Sequence, residues 1–196
     1  MRAFIALEIP PAFSLEVLKI SQHLQEKLKG CFVPQANYHL TLAFLGDIPE
    51  EQFLVAQDAL QTACASCGQV MLKPTKLAHF GNKKRATLVL AMDGTAHNPA
   101  SSASSSPNEL AQSVRSALTL ASLTFDEKDF YPHITLARKA ALEEIDCDTL
   151  STPLPKACCA TKVTLFQSHL SSTEARYEPR FSVALNEDQS QYSPHQ

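Results

Sequence analysis

An α+β fold with largely antiparallel sheets is what this 196-residue sequence predicts. Short apolar segments typical of strands mix with segments of helical spacing, and the connections are too short for many parallel crossovers. The pentapeptide pattern His-x-Thr-Leu-Ala occurs twice, at 39–43 and 133–137, each within its own helix-and-strand neighbourhood. We therefore expect a bilobal chain that arose by duplication, with the two lobes packed about a pseudo-twofold axis.

The first elements follow from apolar spacing and from the residues that end each run. Residues 2–9 are apolar and β-branched enough for a buried strand. Residues 13–28 place apolar side chains on one helical face and stop before Gly30. Residues 38–45 predict a second strand, which ends at Gly46-Asp47.

The remaining elements are predicted in the same way. A helix over 49–65 begins at Pro49 with two Glu in its first turn. Residues 93–108 are rich in Ser and predict a flexible insertion. The other predicted elements are strands 69–79 and 85–92, a helix over 108–121, and strands 131–138, 162–169 and 180–185. We expect one bilobal domain over 1–185 and a disordered polar tail over 186–196.

Composition limits the possible partners and the cell compartment. The net charge is -3 and the sequence pI is about 6.1, whereas proteins that coat duplex nucleic acid carry a basic excess. Glu8 and Pro10 interrupt the apolar N-terminal run, which argues against a secretory signal. No stretch approaches the ~18 apolar residues of a membrane span. We expect a cytoplasmic monomer with reduced thiols and no membrane partner.

The repeated motif predicts two polar faces that bear the same pair of side chains. Strand side chains alternate, so His39 and Thr41 point one way while their leucine neighbours point the other. The same alternation places His133 and Thr135 together. If the lobes pack about a twofold axis, these polar faces meet across a cleft.

Two facing imidazoles suit a reaction that needs one acid and one base near neutral pH. Phosphodiester cleavage is such a reaction: one histidine would activate water, and the other would protonate the leaving sugar oxygen. The hydroxyls of Thr41 and Thr135 would bind the non-bridging phosphate oxygens. Two alternatives remain: both motifs could be structural, or the histidines could share a zinc ion, although no acidic or thiol ligand stands at metal spacing beside either.

These motifs resemble the two-histidine phosphoesterase superfamily, and within it the RNA 2',3'-cyclic phosphodiesterases, also called 2'-5' RNA ligases. The resemblance rests on Arg2–Pro10, Asn37–Gly46 and Phe130–Arg138, with weaker likeness at 165–168 and 175–179. It implies two sheets that form a V-shaped cleft flanked by helices. It also implies that His39 donates a proton to the 3'-oxygen, that His133 accepts one from water, and that Arg138 binds phosphate.

The resemblance implies hydrolysis of 2',3'-cyclic phosphate ends of RNA to 2'-phosphates without a cofactor or metal, with reversible 2'-5' ligation as a companion reaction. The partners would be RNA 3' ends. Two alternatives stay open: a phosphodiesterase for small cyclic nucleotides or ADP-ribose cyclic phosphate, and a non-catalytic module that binds RNA ends. Two titratable groups argue against pure binding.

Several other residues have weaker signals. Strand alternation predicts that Phe44 points away from His39 and packs in the core. Cys64-x-x-Cys67 has redox or zinc spacing but falls at a helix end rather than at an electropositive helix start. His79 ends a strand, and its expected role is structural. Lys83–Arg85 form a basic turn that could attract an RNA end.

Overall fold

A computed structural model of the chain describes residues 1–143, 152–170 and 175–186. The predicted α+β class is confirmed. In chain order the elements are β1 (Arg2–Glu8), α1 (Pro11–Gln25), β2 (Cys31–Phe32), β3 (His39–Asp47), α2 (Glu50–Cys64), β4 (Val70–Leu72), β5 (Pro74–Phe80), β6 (Ala86–Met92), α3 (Pro107–Leu120), β7 (His133–Ala140), β8 (Cys158–Ala160), β9 (Lys162–Leu170) and β10 (Ala175–Ala184).

Most of these strands form one antiparallel sheet with the order β10-β9-β1-β3-β7-β6-β5, and β2 lies beside β7. Strands β10-β9-β1-β3 form one half of it, and β7-β6-β5 form the other. The halves meet at β3 and β7, where the register gives a single pair, Leu40 with Ile134. The two sheets expected from the sequence are thus joined edge to edge at this pair.

The hydrophobic core lies on the sheet face opposite the two motif histidines. Leu40 and Ile134 are fully buried, whereas His39 and His133 beside them are only partly buried, as the period of two along a strand requires. Helix α1 buries a stripe at helical spacing in the same core: Phe13, Val17, Ile20 and Leu24. The alternation that placed each His and Thr on one face therefore also builds the core behind them.

The predicted strand 69–79 is in fact two strands. Residues Val70–Leu72 leave the main sheet and pair with Cys158–Ala160 as a separate two-stranded sheet. The next strand begins at Pro74, whose ring removes one backbone donor from a continuous ladder. The short strands β2 and β8 were not predicted, because two or three residues carry too little periodicity to recognise.

The Ser-rich segment between β6 and α3 makes several hydrogen bonds to the rest of the chain. The Ser105 amide donates to the Gln69 carbonyl at 3.0 Å, and the Ser105 hydroxyl accepts from the Gly68 amide at 3.1 Å. His97 lies 2.7 Å from a carboxylate oxygen of Glu109 in α3. The flexibility expected for 93–108 stays a prediction, as does the single bilobal domain over 1–185.

Asn186 is the one residue of the predicted tail, 186–196, that the structure describes. The Asn186 amide donates to the Cys67 carbonyl at 3.1 Å, so this residue still packs against the end of α2. The rest of the predicted tail, 187–196, lies outside the described residues. In the described part of the chain, no helix combines the length and apolar character needed to cross a bilayer.

Ser106→Ala tests how much the start of α3 depends on its cap. The Ser106 side chain accepts from the Glu109 amide, and the Glu109 carboxylate accepts from the Ser106 amide at 2.8 Å, which forms a complete capping box. Losing it should lower the free energy of unfolding by about 1 kcal/mol in urea denaturation. The control, Ser116→Ala on the exposed face of the same helix, should change it by less than about 0.5 kcal/mol. Equal effects would contradict the role of the cap.

Candidate active site

The two motif strands lie side by side. Pairing of Leu40 with Ile134 in antiparallel register places His39 opposite Thr135 and Thr41 opposite His133, on the face away from the core. All four motif side chains are partly buried. The sequence expectation that distant strands bring these residues together therefore agrees with the arrangement of the strands.

Both motif strands contain an extra residue at the same place. On β3, the partners of Ile5 and Ala6 are Ala43 and Thr41, which leaves Leu42 unpaired. On β7, the partners of Leu88 and Val89 are Ala137 and Thr135, which leaves Leu136 unpaired. Each extra residue is a β-bulge that shifts the side-chain alternation by one. The matching bulges support the duplication inferred from the repeat.

The bulges correct the prediction that Phe44 points into the core. After the extra residue, Phe44 lies opposite Phe4, whose ring is 4.9 Å from that of His39. Phe44 is only partly buried, and the Arg2 guanidinium lies 4.8 Å from its ring centre. The same shift turns Arg138, at the equivalent place in β7, to the face of His133. Simple alternation without the bulge would place Arg138 on the opposite face.

The two imidazoles are held by the same backbone contact. Nδ1 of His39 lies 2.7 Å from the Asn37 carbonyl oxygen, and Nδ1 of His133 lies 2.6 Å from the Tyr131 carbonyl oxygen. A carbonyl oxygen can only accept, so Nδ1 must carry a proton in both rings. In the neutral ring this leaves Nε2 unprotonated, so Nε2 is the nitrogen that can exchange a proton with a substrate.

Aromatic rings pack against each imidazole. Tyr177 meets His39 edge-on at 5.2 Å between ring centres and also contacts Phe4 at 4.9 Å, so the three rings form one cluster. Phe80 meets His133 edge-on at 5.1 Å. These contacts fix the ring planes, because a side chain bonded at Nδ1 and packed by an aromatic ring has few rotamers left.

Burial lowers the pKa of both histidines. The pKa of His39 falls from 6.5 to about 4, chiefly because burial disfavours the charged ring; the nearby Arg138 and His133 lower it further, and the Asn37 carbonyl opposes the shift. The pKa of His133 is lowered by burial and by Arg138, against the Tyr131 carbonyl. One guanidinium thus acts on both rings, so Arg138 lies within electrostatic reach of each.

The described ranges offer no side-chain hydrogen bond or ion pair to three polar side chains of the site, those of Thr41, Thr135 and Arg138. Neither hydroxyl takes part in a side-chain hydrogen bond there, and the exposed Arg138 guanidinium forms no ion pair with a described carboxylate. Two hydroxyls and one cation are the groups that bind phosphate oxygens. The site therefore combines these donors with two Nε2 atoms that can exchange a proton.

A polar group next to His39 was not identified in the sequence. Glu8 lies opposite His39 in the β1–β3 register, accepts a hydrogen bond from the fully buried Thr164 and pairs with Lys162 at 2.8 Å. Glu8 and Lys162 border a cleft of about 640 Å³ that Tyr177 and Ser182 also line. A glutamate at the end of an otherwise apolar strand was the available signal, but its partners come from strands that are distant in sequence.

The other sequence candidates do not join this site. Burial raises the pKa of Cys64 to about 12 and raises that of Cys67, so both thiols stay protonated. His79 lies opposite Leu88, on the sheet face away from His133. Within the described ranges, no three His, Cys, Asp or Glu side chains are arranged to hold a metal ion.

The known proteins that resemble this chain include several phosphoesterases. The family model of LigT-like phosphoesterases matches residues 7–90 of the chain. A Bacillus subtilis protein named RNA 2',3'-cyclic phosphodiesterase is 24% identical over 186 residues, covering 93% of this chain and 96% of that protein. A Geobacillus stearothermophilus protein of the same name is 32% identical over 108 residues, and there the chain spans only 32% of the relative's length.

Solved structures show the same fold over nearly the whole chain. Escherichia coli LigT in complex with 3'-AMP has a TM-score of 0.67 at 24% identity, covering 95% of this chain and 98% of that one. TT0787 of Thermus thermophilus has a TM-score of 0.71 at 22% identity, covering 94% and 98%. The resemblance inferred from the paired motifs is confirmed: residues 7–90 match the LigT-like phosphoesterase family, and the chain has the LigT fold.

Proposed function

We propose that the chain hydrolyses 2',3'-cyclic phosphate ends of RNA to 2'-phosphates. The observation that carries the proposal is the pair of imidazoles on adjacent strands, each with Nδ1 bonded to a carbonyl, which leaves Nε2 as the nitrogen that can exchange a proton. The names of the Bacillus and Geobacillus relatives supply the substrate class. Escherichia coli LigT, which has the same fold, was crystallised with 3'-AMP and with phosphate, and this supports a ligand that contains phosphate.

In the proposed reaction, Nε2 of His133 takes a proton from water as the water oxygen attacks phosphorus. The bond from phosphorus to the 3'-oxygen breaks, and Nε2–H of His39 protonates that oxygen, which leaves a 2'-phosphate and a free 3'-hydroxyl. Which histidine is the acid follows from the family resemblance, since both rings have the same Nδ1–carbonyl hydrogen bond. Protonated His39 needs an anion beside it, and the bound phosphate supplies that charge and opposes the effect of Arg138.

Thr41, Thr135 and Arg138 are proposed to hold the phosphate. The hydroxyls sit diagonally across the β3–β7 junction, one beside each histidine, so they can bind the two non-bridging oxygens from opposite sides. Arg138 would offset the negative charge that grows on these oxygens in the transition state. No step of the proposal requires a metal or cofactor.

The main alternative keeps the chemistry and changes the substrate to a small cyclic nucleotide or ADP-ribose cyclic phosphate; comparing turnover of a mononucleotide with that of cyclic-ended RNA separates the two. A binding module for RNA ends is the second alternative, and any turnover excludes it. Reversal of the same steps would join RNA ends by a 2'-5' bond. The monomeric state and cytoplasmic location stay predictions.

His39→Ala and His133→Ala should each lower kcat on 2',3'-cyclic nucleotides and on cyclic-ended RNA by ~10²–10⁴-fold, since each removes a general acid or base. The control is His23→Ala, a partly exposed ring on α1 that should leave kcat unchanged. Phosphorus NMR should identify the product as a 2'-phosphate, with chelator present throughout. Undiminished turnover in the double His39→Ala, His133→Ala variant would exclude the mechanism.

Arg138→Met should raise the pKa of both His39 and His133 in NMR titrations, because a positive charge that disfavours each imidazolium is removed. The same variant should bind inorganic phosphate more weakly. Lys139→Met is the matched control, because it removes a neighbouring charge that is not among the groups that shift the pKa of either ring. Similar shifts in both variants would show that the field is not specific to Arg138.

The pH dependence of kcat/KM should be bell-shaped with a maximum below pH 6.5, the ordinary histidine value. This parameter reports the free enzyme, in which both pKa values are lowered. At a pH above both pKa values the acid has lost its proton, and at a pH below both the base has gained one. The maximum of kcat/KM therefore lies between the two pKa values. A maximum above pH 6.5, with the protein folded by circular dichroism throughout, would argue against this pair.

A further inference from the structure

The far end of β7 gathers basic residues from three separate segments. Arg138 pairs with Cys31, and the amide of Ala141 donates to the Lys29 carbonyl at 2.9 Å. Ala140 pairs with Ala86, which directly follows Arg85. The Leu142 amide donates to the Lys83 carbonyl at 2.7 Å. We call the residues assembled here the β7 basic surface: Lys29, Lys83, Arg85, Arg138 and Lys139.

The charges of the β7 basic surface are not neutralised by described carboxylates. All five side chains are exposed, and none forms an ion pair within the described ranges. Lys84, in the same turn as Lys83, is different because it pairs with Glu143 at 3.6 Å. Five of the chain's 17 basic residues meet here although the whole chain carries a net charge of -3, so this surface departs strongly from the average.

The β7 basic surface is continuous with the candidate active site. The bulge at Leu136 turns Arg138 to the face of His133, so Arg138 belongs to both. From His133 to Ala140 the strand extends ~23 Å at ~3.3 Å per residue. A single-stranded RNA lying along the strand would therefore place several phosphates beyond the reacting one.

We propose that the β7 basic surface binds the ribose-phosphate chain of a single-stranded RNA immediately 5' of its cyclic end. The inference rests on the proposed function and names its preferred substrate: an oligonucleotide rather than a mononucleotide. Exposed, unpaired lysines and arginines beside a reacting phosphate are suited to bind further phosphates of the same polyanion, without reading sequence. A mononucleotide has no phosphates that reach them.

The test compares Lys29→Glu/Lys83→Glu with a control of equal charge change, Lys19→Glu/Lys156→Glu. The control lysines are exposed and line a different depression with Glu16. With a cyclic-ended RNA of about seven nucleotides at low salt, the first variant should lose about tenfold or more in kcat/KM. Its kcat/KM on a 2',3'-cyclic mononucleotide should stay within about twofold of the parent. The control should behave as the parent on both substrates.

A binding measurement separates this inference from the proposed reaction. In a His133→Ala background, fluorescence anisotropy with the same RNA carrying a 3'-phosphate should show weaker binding in the Lys29/Lys83 variant. Its slope of log K against log salt should also be shallower by about 1.4, at ~0.7 per phosphate contact. Equal losses on RNA and mononucleotide, or equal losses in the control, would overturn the inference. Absence of turnover in the parent protein, with these binding differences intact, would instead overturn the proposed function.

Discussion

The candidate active site depends on one contact, the pairing of β3 with β7 at Leu40 and Ile134. Each of these residues follows its motif histidine, and both are fully buried in the core. Burying this pair fixes the register of the two strands. A slip of one residue would turn a motif histidine into the core and its buried neighbour, Leu40 or Ile134, to solvent. Hydrophobic packing on one face thus sets the polar geometry on the other.

Strand periodicity explains why part of the site could be predicted from the sequence. His39 with Thr41, and His133 with Thr135, needed only local alternation and the repeat itself. Phe44 and Arg138 could not be placed in this way, because the bulges before them are defined by pairing with strands distant in sequence. The helices were predicted within about two or three residues by apolar spacing, since each buries a single stripe in the core.

The contacts around the histidines lay beyond local sequence reasoning for the same reason. Tyr177 reaches His39 from β10, at the far end of the sheet order from β7. Glu8 is joined to Thr164 and Lys162, which lie on β9. Such contacts depend on which strands become neighbours, and that order comes from the whole fold. The sequence predicted two sheets, whereas the structure has one continuous sheet, for a similar reason. The single pair Leu40–Ile134 is enough to join the two halves.

The matching bulges also determine where the two halves of the candidate active site differ. At each bulge the chain presents histidine, threonine and one further residue on the same face, and only this third position departs from the repeat. It is the aromatic Phe44 in one half and the cationic Arg138 in the other. The Arg2 guanidinium over Phe44 lies near Asp47, at 3.8 Å, so that side has a partnered cation. The twofold symmetry of the histidines is therefore broken by charge, so under the proposed function an anionic ligand would meet an unpartnered cation on one side only.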